Sequence, residues 1–140
     1  MTVSSSPRIF VTSSYNDREF ASRLSKAIMK EGAHSFLDVD AVKAGEHWQK
    51  QLQSRLKDSD MVLLVLPAKE GDGKSALFEV GAAMAMGKPV CVVVKDWSAT
   101  SSANTAFATN IAGHQIVDAS RKPMKDVARD IVAKVQPFTA

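Results

Sequence analysis

The sequence predicts an α/β protein: one parallel sheet with helices packed on both faces. Three observations carry this. Strand-like and helix-like segments alternate along the chain. The two central strand candidates, MVLLVL (61–66) and PVCVVV (89–94), are apolar throughout, as suits strands covered on both sides. The chain has 140 residues, 45% of them apolar and 24% charged, which fits a single domain with one continuous interior.

The elements follow in order. Residues 1–7 are small and polar and end in Pro7, a flexible leader. RIFVT (8–12) is β-branched and aromatic, a first strand. SSYND reads as a loop, with Asp17 capping a helix whose apolar positions Phe20, Leu24, Ala27 and Ile28 recur at helical spacing. Gly32 stops that helix. HSFL (34–37) is a short strand and DVDAVKAGEH a polar loop. A helix over 45–57 buries Trp48, Leu52 and Leu56. Strand 61–66 follows, then a Pro- and Gly-rich loop, PAKEGDGK (67–74). KSALFEVGAAMAMG is a helix that ends at Gly87, before strand 89–94. Residues 95–113, rich in Ser, Thr, Ala and Asn, predict loop with room for a short helix. HQIVD (114–118) is a weak last strand. The closing helix buries Met124, Val127, Ala128, Ile131, Val132 and Val135, and 137–140 form a tail. Five strands in this alternation predict a flavodoxin-like three-layer sandwich with strand order 2-1-3-4-5.

Composition excludes several function classes. The formal net charge is +3, but Lys and Arg are dispersed and the aromatics form no stacking ladder, so no nucleic-acid face is expected. Cys91 stands alone in an apolar run, a small core residue rather than half of a disulfide or part of a metal cluster. His34, His47 and His114 lack ligand spacing, so no metal is expected. No stretch approaches the ~20 apolar residues of a membrane span, and a reducing cytoplasm is the expected setting.

In an open parallel sheet, ligands sit beyond the carboxyl ends of the strands where the strand order reverses. Here that crevice falls between the loops after strands 1 and 3, at SSYND and PAKEGDGK. The second loop leads into the helix carrying Glu79, the one carboxylate among apolar residues from Ala76 to Gly87. Two readings stay open for it. It is an exposed residue near a helix start, favoured by the dipole, or a carboxylate that lines the crevice among Phe78, Val80 and Ala83 and acts as base, nucleophile or hydroxyl anchor.

RIFVTSSYNDREFASRL, FLDVDAVKAGEHWQKQL, DSDMVLLVLP and FEVGAAMAMGKPV, in that order and spacing, resemble the successive boxes of a TIR (Toll/interleukin-1 receptor) domain. The resemblance covers about residues 8–94, and the closing helix fits it, so one TIR domain is expected over 8–136. FLDVDAVKAGEHW is similar to the segment called the BB loop. Glu79 matches the glutamate that enzymatic TIR domains use to cleave the nicotinamide–ribose bond of NAD+. The resemblance therefore implies a bacterial NAD+ glycohydrolase or cyclase, with NAD+ as substrate and no further cofactor, giving ADP-ribose or a cyclic isomer in anti-phage defence or virulence. It implies homotypic self-association and a separate sensor or effector protein. Two departures stand out: Tyr15 is displaced in TSSYND, and the tryptophan often found four residues before the glutamate is replaced by Ser75, with Phe78 the nearest aromatic.

Bond cleavage of this kind passes through an oxocarbenium-like ribose, which a carboxylate in a poorly solvated crevice stabilises. Nicotinamide leaves neutral, so a single essential carboxylate is chemically reasonable. Ser13, Ser14 and the amides beside Tyr15 are candidate donors to the diphosphate, or simple turn residues. Lys43 and Gly45 belong to the covering loop. Trp48 is a candidate base-stacking residue or a core residue, and Asp38 a candidate ribose ligand. Lys69, Lys74 and Lys88 read as surface residues. Two alternatives remain: a non-catalytic TIR adaptor acting through homotypic contacts, and a nucleoside 2-deoxyribosyltransferase, whose glutamate-bearing helix FEVGAAMAMGKPV also resembles. A response-regulator receiver has similar topology, but TSSYND offers only Asp17 where its acidic cluster would stand.

Overall fold

The computed structural model describes residues 6–40, 46–112 and 115–135. Five parallel strands form one sheet in the order β2-β1-β3-β4-β5: β1 is Arg8–Ser14, β2 His34–Asp40, β3 Met61–Val65, β4 Val90–Val94 and β5 Ile116–Asp118. The helices are α1 (Arg18–Lys30), α2 (Glu46–Asp58), α3 (Lys74–Ala85), α4 (Ser102–Ala112) and α5 (Met124–Val135). The predicted architecture and strand order are those observed.

The two faces of the sheet follow from strand alternation. Ile9, Val11, Leu63, Cys91 and Val93 pack with Leu24 and Ile28 of α1 and Val127 and Ile131 of α5. Phe10, Val62, Leu64 and Val92 point the other way, onto Leu52 and Leu56 of α2, Ala76, Val80 and Ala83 of α3, and Ala108 of α4. All five residues of β3 and of β4 are buried, as their unbroken apolar runs require.

Several boundaries differ from expectation. β1 runs on through Ser13 and Ser14, because both pair with β2 in register, and the predicted loop shrinks to a 3-10 turn, Tyr15–Asp17. β2 likewise takes in Asp38, Val39 and Asp40. Asp17 stands at the start of α1 but its carboxylate makes no capping bond; it is used elsewhere. At 95–113 the short helix proves longer than expected: the 11-residue α4 follows a 3-10 turn (Trp97–Ala99). Ser101 starts α4: its hydroxyl accepts from the Asn104 amide at 3.1 Å and its carbonyl from the Thr105 amide at 3.0 Å.

Candidate functional site

α3 positions the carboxylate. Ala76, Glu79, Val80 and Ala83 follow the i, i+3, i+4, i+7 pattern and are all fully buried. Glu79 thus occupies the inward stripe of the helix, in its second turn, and the exposed-residue reading is overturned. Its Oε1 accepts from the Thr12 hydroxyl of β1 at 2.6 Å. Thr12 is itself buried and pairs with Asp38 of β2 and Leu64 of β3 in register.

Beyond Thr12, at the carboxyl edge of the sheet, lies a crevice of about 280 Å³. Ser14, Tyr15 and Asn16 form one wall and Gly71, Asp72, Gly73 and Lys74 the other. This is the predicted switch point between strands 1 and 3. Glu79 is not among the lining residues. Its hydroxyl donor, Thr12, stands two residues before the lining residue Ser14 on β1, roughly 6.6 Å along the strand. A larger depression of about 450 Å³ lies between α1 and α5, lined by Arg23, Lys26, Lys30 and Lys125 among others; it is on the opposite face of the sheet and holds none of the predicted site residues.

The crevice walls are fixed by contacts that the sequence reading missed. Asn16 Nδ2 donates to Asp72 Oδ2 across the mouth at 3.2 Å. Asn104, at the head of α4, donates to the carbonyls of Pro67 (2.6 Å) and Lys69 (3.2 Å), and the Ser101 amide to that of Ala68 (2.8 Å), so α4 braces the 67–73 loop. Gly73 has φ +71°, and a Cβ there would stand 2.7 Å from Pro67 Cγ, so only glycine fits where the loop turns into α3. Asp17, 7% exposed, accepts from the Lys95 ammonium at 2.7 Å and from the Ser14 hydroxyl at 3.0 Å, joining the ends of β1 and β4.

Of the predicted residues, Ser14 and Tyr15 reach the crevice. Tyr15 is 52% exposed, with the Arg18 guanidinium 4.0 Å above its ring. Ser13 is buried, and by alternation it belongs to the face of α1 and α5; its hydroxyl donates to the Ser14 carbonyl at 3.1 Å. The backbone places Asp38 beside Thr12, Trp48 in the first turn of α2, and Ser75 and Phe78 on α3. The side-chain roles expected of these four, and those expected of Lys43 and Gly45, lie outside the described residues. Lys69 and Lys74 are exposed, and Lys88 donates to the Lys57 carbonyl at 3.1 Å. Among the described residues no group of acidic, His or Cys side chains could hold a metal, and no helix is long and apolar enough to cross a membrane. Cys91 is fully buried, which pushes its thiol up to about 12.

A family model described as TIR domain matches residues 9–132. The chain belongs to the TIR domain family. No curated protein matches it in sequence. Among solved structures, this TIR domain is similar to the TIR domain heterodimer of RPS4 and RRS1, at 18% identity over 94% of this chain and 98% of that one, with a TM-score of 0.64. It is similar to the TIR domains of the activated Roq1 resistosome that recognises the effector XopQ, at 19% identity over 93% and 83%, with a TM-score of 0.51. A CheY-like response regulator receiver domain from Methanospirillum hungatei JF-1 gives 13% identity over 96% and 97%, and a TM-score of 0.61. At such identities these likenesses speak for the fold. The family match places the chain with TIR domains rather than deoxyribosyltransferases.

Proposed function

We propose that this TIR domain is an enzyme that cleaves the nicotinamide–ribose bond of NAD+, with Glu79 as its catalytic carboxylate. One observation carries the reading: Glu79 is a fully buried carboxylate on the inward stripe of α3, bonded to Thr12, two residues before Ser14 of the crevice at the topological switch point. An apolar side chain would fill that stripe at lower desolvation cost, so the carboxylate asks for a role. The reaction needs Glu79 to leave Thr12 and reach the crevice floor, where it stabilises the cationic ribose as neutral nicotinamide departs. Water or a hydroxyl of the same substrate then captures the sugar, giving ADP-ribose or a cyclic isomer. The setting that goes with this chemistry is bacterial anti-phage signalling in the cytoplasm, with self-association of TIR domains and a separate sensor or effector.

Full burial of Glu79 favours a second reading, a TIR adaptor that works through homotypic contact and keeps the glutamate as a structural tie to β1. One experiment separates the two. Wild-type and Glu79→Gln protein are incubated with NAD+ at high protein concentration and nicotinamide is measured by chromatography. Release by the wild type and its loss in the folded variant support the enzyme. No release at any concentration, or equal release by both, removes Glu79 catalysis and leaves the adaptor.

A further inference from the structure

We propose that Ser14 is a hydrogen-bond acceptor in the crevice, held in that role by Asp17 and Lys95, and that it selects ligand groups that donate over phosphate oxygens. The inference rests on the crevice being the ligand site of the proposed reaction. A serine hydroxyl has one proton to give. That of Ser14 goes to Asp17 Oδ2 at 3.0 Å, and a carboxylate only accepts, which fixes the direction of the bond. The other Asp17 oxygen takes the Lys95 ammonium at 2.7 Å, so the carboxylate cannot swing away without breaking a second contact. Ser14 also makes no capping bond to the Tyr15–Asp17 turn that it precedes, so its oxygen lone pairs are not used by that backbone. Its Cβ lies against the Gly73 position on the opposite wall, at the crevice.

The rest of the lining agrees. Asp72 adds a carboxylate to the facing wall, and Lys74 is the one cation among the described lining residues. A diphosphate brings negative charge and acceptors only; it meets an acceptor at Ser14 and a like charge at Asp72. Ribose hydroxyls and a carboxamide NH2 bring donors. The crevice therefore takes the sugar and nicotinamide end of a dinucleotide, and the expectation that Ser14 donates to the diphosphate is reversed. Asp17 and Lys95 are positioning residues, acting through Ser14.

The test follows the backbone amides of Ser14, Asn16 and Gly73 by NMR during titration with nicotinamide riboside, which has no phosphate, and with inorganic pyrophosphate. The riboside is expected to shift these amides, and pyrophosphate at equal concentration to leave them in place. Ser14→Ala weakens riboside binding about 3- to 10-fold, the worth of one hydrogen bond. Asp17→Asn lets an amide NH2 turn to Ser14 and frees its proton for the crevice, so the preference for riboside over pyrophosphate shrinks about threefold or more, whereas a purely structural role would weaken both ligands alike. If Asp17→Asn fails to fold, Ser14→Ala decides. Absence of any riboside shift, equal response to pyrophosphate, or unchanged riboside affinity in Ser14→Ala overturns the proposal. Nicotinamide release from NAD+ is assayed beside it. Riboside binding as stated without release ends the enzymatic reading alone; release with an unchanged KM in Ser14→Ala ends this one alone.

Discussion

Two carboxylates are buried among the described residues, and β1 donates to both, yet they are held differently. Asp17 lies at the rim, 7% exposed, where it takes an ammonium whose own side chain is 39% exposed. Glu79 lies at 0% exposure in a stripe otherwise made of Ala76, Val80 and Ala83, and takes the Thr12 hydroxyl. Asp17 ties the ends of β1, α1 and β4 together and stabilises the edge of the sheet. Glu79 stands as the one carboxylate in an otherwise apolar stripe of α3. The contrast separates a carboxylate joined to a partly exposed ammonium at the rim from one set inside the apolar layer.

The largest expected effect tests that separation directly. Glu79→Gln lowers nicotinamide release by about 10²- to 10³-fold, the usual loss when one charge-stabilising group is removed, while the variant stays folded. Asp17→Ala lowers stability instead. Lys95 and Ser14 lose their shared partner, and since Lys95 is partly exposed the cost is about 2 kcal/mol, between a surface and a buried pair; urea unfolding reads it. Thr12→Val, which keeps the shape and removes the hydroxyl that Glu79 accepts from, costs about 1.5–2 kcal/mol, and the double variant with Glu79→Leu recovers most of it if the two are coupled. Gly73→Ala strains a left-handed residue and presses on Pro67, costing about 1–2 kcal/mol and shifting the crevice walls. A last effect is alkaline. Burial pushes the folded Cys91 thiol from its ordinary 9.0 up to about 12. Between those values the unfolded chain loses the proton first, so stability falls as pH rises through this window, by at most about 1.4 kcal/mol per unit. Cys91→Ala removes that slope, which pH-dependent denaturation measures.

Much of this was legible in the residues. Unbroken apolar runs at 61–66 and 89–94 could only be central strands, and the alternation of elements fixed strand order and the place of the crevice. Glu79 stood out because one charge broke a helical apolar stripe. The extent of helix α4 was not legible because Ser, Thr and Asn suggest loop by composition, although Ser101 is a residue type that starts helices. The end of β1 was cut short because Ser13 and Ser14 favour turns on their own, and pairing with β2 overrides that preference. The Thr12–Glu79 and Asp17–Lys95 contacts span 67 and 78 residues of sequence, so no local pattern announces them.

Thr12 and Ser14 share one face of β1 only because a single residue separates them. Removing or adding one residue at Ser13 would turn one of the two hydroxyls toward α1 and α5. Either carboxylate would then lose its donor, while the apolar layers built on Phe10 and Val11 stayed intact. The tip of this strand therefore behaves as a fixed-length spacer: the two hydroxyls work only at this count of residues.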